Sequence, residues 1–233
     1  MKTINHNWRI GYDTMFRVLT KSAKELLSDI RGSAILRQKS PMKIIIVGRS
    51  GSGKDTLAHV LQDTFGYTQL LSYATRPRRT PTEASHRFVS EEEAAQLTDR
   101  VAYTVINGYQ YFATREQFKE CDIYLIDPNG LDSLCKNASE IPLYVVYVEA
   151  SQDTRLRRAK SRAADPDEAE KIFYSRQADE DAQFSAFEEL LKDKKAFQKA
   201  YPSARVLRIL ANDNDDITNV QAFAQMLEWE VHK

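Results

Sequence analysis

The sequence predicts an α/β fold in which a parallel sheet is flanked by helices. Three observations lead there. Short apolar runs rich in β-branched residues recur at Lys43–Val47, Ile123–Ile126 and Leu143–Val148, with Arg205–Leu210 as a last strand. Runs of this kind suit strands buried on both faces. Helical segments lie between and after them, and parallel strands need such crossovers. A glycine-rich turn, Gly48 to Gly53, joins the first run to a helix read over Lys54 to Thr64.

Composition narrows the function. The chain has 233 residues, 42% hydrophobic and 28% charged, and its 33 basic and 33 acidic side chains cancel. A uniformly basic nucleic-acid binder is therefore not expected. Cys121 and Cys135 lack Cys-x-x-Cys spacing, and with four His in all no metal-ligand cluster is expected. Both cysteines read as reduced thiols of a cytoplasmic protein. No apolar run approaches the roughly 20 residues that span a bilayer, so no membrane partner is expected.

Four regions are expected along the chain. Residues 1–41 carry apolar positions at steps of three and four from Trp8 to Ile30, with a basic excess, and read as an amphipathic extension. It would dock on the domain or a partner, or have no catalytic use; membrane-surface binding and organelle targeting are the other readings. Residues 42–67 and 115–233 form the core. Residues 68–114 read as an irregular insertion with short strands, an acidic helix over Ser90–Leu97, and several Arg, Tyr and Gly residues. A charged segment at about 157–176 forms the fourth.

The strongest chemical signal is Gly48-Arg49-Ser50-Gly51-Ser52-Gly53-Lys54-Asp55-Thr56, a P-loop pattern set between a strand and a helix. A loop without side-chain bulk lets successive N–H groups point at phosphate oxygens. The helix N-terminus adds partial positive charge, and Lys54 can reach the outer phosphates. The residues expected to bind ATP are Gly48, Ser50, Gly51, Ser52, Gly53, Lys54, Asp55 and Thr56. Asp55 stands where a magnesium-binding Ser or Thr is usual. Asp55 or Thr56 is the expected Mg²⁺ ligand, since hard oxygen donors suit that ion.

Ser72-Tyr73-Ala74-Thr75-Arg76-Pro77-Arg78-Arg79 follows. Guanidinium groups hold phosphate bidentately and stay charged at any working pH, so this stretch reads as an acceptor-phosphate clamp or as a solvated basic loop. Here the chain resembles the guanylate kinase family, whose acceptor motif Ser-x-Thr-Thr-Arg-x-x-Arg is matched by Ser72, Thr75, Arg76 and Arg79. His86-Arg87-Phe88-Val89-Ser90, Gly108-Tyr109-Gln110-Tyr111-Phe112, Asp127-Pro128-Asn129-Gly130 and Asn212-Asp213 resemble further family segments. The resemblance covers about residues 43–230. It implies a P-loop kinase fold with an acceptor-binding insertion and a helical lid. It also implies ATP and Mg²⁺ as cofactors and a nucleoside monophosphate, by default GMP or dGMP, as acceptor. Ser72, Arg76, Arg79, His86, Tyr111 and Asp127 would bind that acceptor, His86 standing where the family has a phosphate-binding Tyr. Lys54, Arg162 and Arg176 would act on the transferring group, with Arg158 as an alternative to Arg162.

The departures from the family bear on the acceptor. The family's guanine-reading Glu, Ser and Asp are Ala102, Ala113 and Leu125 here. A site lacking those polar groups loses discrimination for a polar base. Tyr103, Thr104 and Asn107 could read a different base. The Lys54-Asp55 pair also resembles ribose 1,5-bisphosphate kinases and some phage-type nucleotide kinases. A different deoxynucleotide, ribose 1,5-bisphosphate, a simple NTPase and a non-catalytic guanylate kinase-like binding module are the alternatives.

Overall fold

The computed structural model describes residues 42–233, and the extension read over residues 1–41 lies outside the described residues. The chain opens with β1 (Lys43–Val47), a glycine turn, and α1 (Lys54–Phe65). Next come β2 (Gln69–Leu70), β3 (Tyr73–Ala74), β4 (Arg87–Phe88) and α2 (Glu91–Gln96). Then follow β5 (Arg100–Ile106), β6 (Tyr109–Thr114), α3 (Arg115–Glu120), β7 (Ile123–Ile126) and α4 (Pro128–Asn137). The remainder runs through β8 (Leu143–Glu149), α5 (Gln152–Ser161), α6 (Pro166–Leu190), α7 (Lys194–Ala200), β9 (Ala204–Ala211) and α8 (Ile217–Val231).

Five strands form a parallel sheet in the order β2-β7-β1-β8-β9. β1 lies at its centre, with Ile44 beside Ile123 of β7 and Tyr144 of β8. Side chains alternate between the faces. Ile45, Val47, Tyr124, Val145 and Tyr147 join a core that also holds Phe184 and Phe187 of α6 and Phe197 of α7. Tyr147 and Phe187 meet edge to face at 5.7 Å, and Phe187 meets Phe197 at 6.1 Å. Ile44 and Ile46 point to the other face and are fully buried, as are Leu57 and Leu61 of α1, which packs against α8. The result is an α/β sandwich consistent with a P-loop kinase fold.

A parallel sheet brings all its strand ends to one edge. Here that edge gathers the turn after Val47, Asp127 after β7, Ser151 after β8 and Asn212 after β9.

Residues read as irregular in the sequence hold a second sheet, in the order β4-β3-β6-β5. β5 and β6 form an antiparallel hairpin closed by Asn107 and Gly108, both at positive φ (52° and 78°). A bulge between Arg100 and Ala102 breaks the period-two alternation of β5. That break hid the strand from pattern reading.

Candidate active site

The glycine turn is shaped by its neighbours. Gly51 (φ 79°) and Gly53 (φ 98°) adopt left-handed conformations that favour glycine. A Cβ on Gly53 would lie 2.2 Å from Asn212 Nδ2, and one on Gly51 would press on the backbone of Arg155 at 3.1 Å. Asn212 Nδ2 donates to the Ser52 carbonyl at 2.8 Å. Arg158 Nη1 donates to the Gly51 and Ser52 carbonyls, both at 3.2 Å. With the Ser52 carbonyl held on that side, the N–H of the same peptide plane, on Gly53, points the opposite way.

α1 starts at Gly53 with no side-chain cap. Every other described helix has one, from Ser90, Thr114, Asp127, Ser151, Asp165, Asp193 or Asp216. The first amides of α1 are thus left for an external acceptor, and anions suit that position. Among the described residues, the one ion pair of Lys54 Nζ is with the Asp55 carboxylate, at 3.8 Å. Asp55 and Thr56 are exposed on the first turn of α1. No group of three His, Cys, Asp or Glu able to hold a metal occurs among the described residues. One carboxylate with substrate phosphates is nonetheless a common Mg²⁺ ligand set, and the Asp55 and Thr56 oxygens fit it.

A cavity of about 580 Å³ adjoins the turn. Ser50 and Gly51 line it on one side and Arg79, Arg155, Arg162 and Arg176 on others, with the carboxylates of Asp165, Glu168 and Glu180 among them. Burial, then the nearby charges of Arg176 and Arg76, push the Arg79 guanidinium below its ordinary range. Cations crowded in this way form a ready anion site. Arg158, by contrast, is engaged: it also donates to the Asn212 and Asn214 carbonyls and pairs with Asp215 at 3.0 Å. Its role here is to brace the glycine turn.

None of the other expected acceptor residues lines this cavity, but Arg76, His86 and Tyr111 lie within electrostatic reach of Arg79. Arg76 is buried and forks onto Glu83 at 2.6 and 3.0 Å, with its guanidinium over the Phe88 ring. Glu83 also accepts from the Arg79 N–H at 2.7 Å, so one carboxylate shapes the arginine loop. The hydrogen bond from Arg76, together with that from the Arg79 amide, holds the Glu83 carboxyl well below its usual range. Ser72 Oγ and His86 Nδ1 share a hydrogen bond at 2.9 Å, and the His86 ring lies 5.3 Å from that of Tyr111. Burial, then the charge of Arg76, pushes the His86 imidazole down to about 4, while Asp55 of α1 pulls weakly the other way. Thr75 accepts from the Gln110 N–H through Oγ1 and so joins β3 to β6.

Asp127 caps α4, its Oδ1 accepting from the Gly130 N–H at 2.6 Å. Its Oδ2 and Thr104 Oγ1 are both buried, and the two side chains lie close enough for Thr104 to stabilise the carboxylate. Burial pushes the Asp127 carboxyl up. Ala102 and Ala113 are fully packed, 1% and 0% exposed, and offer no polar group.

Sequence reading missed Glu83, Arg155, Glu180 and the bracing role of Asn212. Asn212-Asp213 was visible as a motif, but its contact with the turn depends on β9 ending beside β1. Glu83 and Glu180 carried no signal, since charged residues at those positions read as solvated.

No protein-family model matches the chain, and no curated protein matches it. Among solved structures, the chain is similar to a guanylate kinase from Anaplasma phagocytophilum. The TM-score is 0.47 and the identity 16%, over 83% of this chain and 86% of that one. It is also similar to an uncharacterized protein from Eubacterium ventriosum, with TM-score 0.40 and 13% identity over 82% of this chain and 99% of that one.

Proposed function

We propose that this chain is an ATP-dependent phosphotransferase acting on a small phosphorylated acceptor, with a nucleoside monophosphate as the leading candidate. One observation carries the reading: a single cavity joins the glycine turn, at Ser50 and Gly51, to four arginines, Arg79, Arg155, Arg162 and Arg176.

In this reading the amides of the turn and Lys54 hold the phosphates of ATP. Asp55 and Thr56 would hold Mg²⁺, which when bound neutralises phosphate charge. Arg79 is the open acceptor-phosphate ligand. Arg76, Ser72, His86 and Tyr111 line its flank, and Arg76 keeps the loop in shape through Glu83. An acceptor phosphate oxygen attacks the terminal phosphorus of ATP. A new P–O bond forms as the bond to the departing ADP oxygen breaks. No general base is needed, because the attacking oxygen is already anionic. Arg162 and Arg176, on the α5–α6 segment, would stabilise charge on the transferring group as a lid.

Apolar packing at Ala102 and Ala113 favours a second reading, in which the acceptor is a sugar phosphate such as ribose 1,5-bisphosphate.

The test is ATP consumption measured across GMP, dGMP, AMP, CMP, UMP, dTMP and ribose 1,5-bisphosphate. The expected result is ADP formation that requires one of these acceptors. Hydrolysis without an acceptor would replace the kinase by an NTPase. ATP binding without turnover on any acceptor, or no ATP binding by a folded chain, would favour a binding module.

A further inference from the structure

Arg155 also lines this cavity, and its environment is unusual. Its side chain is 5% exposed. It lies on α5, whose backbone packs on Gly51. Its Nε and Nη1 are buried without a hydrogen-bond partner, and its guanidinium lies over the Phe173 ring at 5.4 Å. Burial pushes its charge toward loss. A buried guanidinium is tolerated when an anion offsets it, and here the nearest is Glu180 of α6, with Oε2 at 3.6 Å, beyond hydrogen-bond reach. The other oxygen of that carboxylate, Oε1, accepts from the Ser50 N–H of the glycine turn at 2.9 Å. Arg49, next in the turn, forks onto Glu188 of the same helix at 2.8 and 3.1 Å. A carboxylate of α6 thus lies between a loop amide and a buried guanidinium.

We propose that the Ser50 amide and Arg155 form the seat of the donor's terminal phosphate, and that Glu180 holds this seat until the nucleotide displaces it. The inference rests on the phosphotransferase reading. A carboxylate and a phosphate compete for the same donors, but a phosphate brings more charge and more acceptor oxygens. The seat opens on the cavity lined by Arg79, Arg162 and Arg176, so the phosphate nearest to it is the one to be transferred. Displacement frees the α6 side of the cavity at the moment the donor arrives. The uncoupled state, with Glu180 in place, disfavours binding by the strength of the contacts it makes.

The test compares ATP and ADP binding by calorimetry in the unaltered chain, Arg155→Met and Glu180→Gln, with folding checked by circular dichroism. ADP lacks the phosphate in question. Arg155→Met should weaken ATP about tenfold, the loss of one charge-assisted contact, and change ADP little. Glu180→Gln should tighten ATP several-fold and leave ADP nearly unchanged, because a neutral amide is a weaker competitor. Equal losses for ATP and ADP would make Arg155 a structural tie between α5 and α6 and overturn the seat. Unchanged ATP affinity in Glu180→Gln would overturn it too, and that variant decides the matter should Arg155→Met fail to fold. Normal ATP binding with both variants unmoved sinks the seat alone. An unaltered chain that binds no ATP sinks the phosphotransferase reading and the seat with it.

Discussion

The Arg76 and Arg79 side chains look alike in the sequence, but their environments separate them. Arg79 is exposed to the cavity and crowded by Arg176. Arg79→Ala should raise the acceptor KM roughly tenfold or more while stability stays within about 0.5 kcal/mol. Arg76 is buried against Phe88 and paired with Glu83. Arg76→Ala strands that carboxylate, so it should destabilise the chain by roughly 2 kcal/mol, read in urea unfolding, as well as lower activity. Equal stability of the two variants would show that the Glu83 pair is not structural. Lys54→Ala should lower turnover roughly 100- to 1000-fold with circular dichroism unchanged, since among the described residues its ammonium pairs with the exposed Asp55 alone. Near-normal activity of that variant would remove ATP from the glycine turn. The motif residues were legible because phosphate chemistry restricts which side chains can serve and at what spacing. Arg155 and Glu180 were not legible, because their meaning depends on two helices meeting at the turn.

At the scale of elements, β1 and the turn after it were readable from pattern alone. A central strand has no polar position to disguise it, and glycine spacing marks the loop. The second sheet was not readable: its strands β3 and β4 are short, and β5 is interrupted by the bulge after Arg100. α6 was read only through its first part, as a segment near residues 157–176. It runs to Leu190, where Phe184 and Phe187 anchor it in the core. The turn itself supplies a prediction. Gly53→Ala places a Cβ on a residue at φ 98°, against Asn212. The strain and the displaced hydrogen bond to the Ser52 carbonyl should together cost about 2 kcal/mol and weaken nucleotide binding. Asn212→Ala removes the obstacle as well as the bond. A double variant should therefore lose less than the sum of the two single losses, measured as a double-mutant cycle. Full additivity would mean that Gly53 and Asn212 do not act through their contact.

The whole molecule carries no net formal charge at pH 7, so near neutrality its pH response is set by particular buried groups rather than by general repulsion. His86 dominates the mildly acidic side. Its imidazole titrates at about 4 in the folded chain against an ordinary 6.5. Between those values the unfolded chain takes up a proton that the folded chain refuses. Stability is therefore full above pH 6.5 and falls as pH drops toward 4, by at most about 3 kcal/mol over the window. Glu83 extends the loss to lower pH. Its folded carboxyl lies below the usual 4.5, so the stability it contributes is present above that value and fades beneath it. Asp127 opposes both, since a raised carboxyl favours the folded state when protonated and that gain is lost as pH rises. Urea unfolding from pH 8 to 4 should thus show a steady decline beginning near 6.5, and His86→Gln should flatten the portion above pH 4.5. If the decline kept its full slope in that variant, burial of His86 would not be its source. The same residue then links fold to function: an acceptor phosphate beside His86 would raise its proton affinity, so acceptor binding measured in two buffers of different ionisation enthalpy near pH 6 should show proton uptake that His86→Gln abolishes.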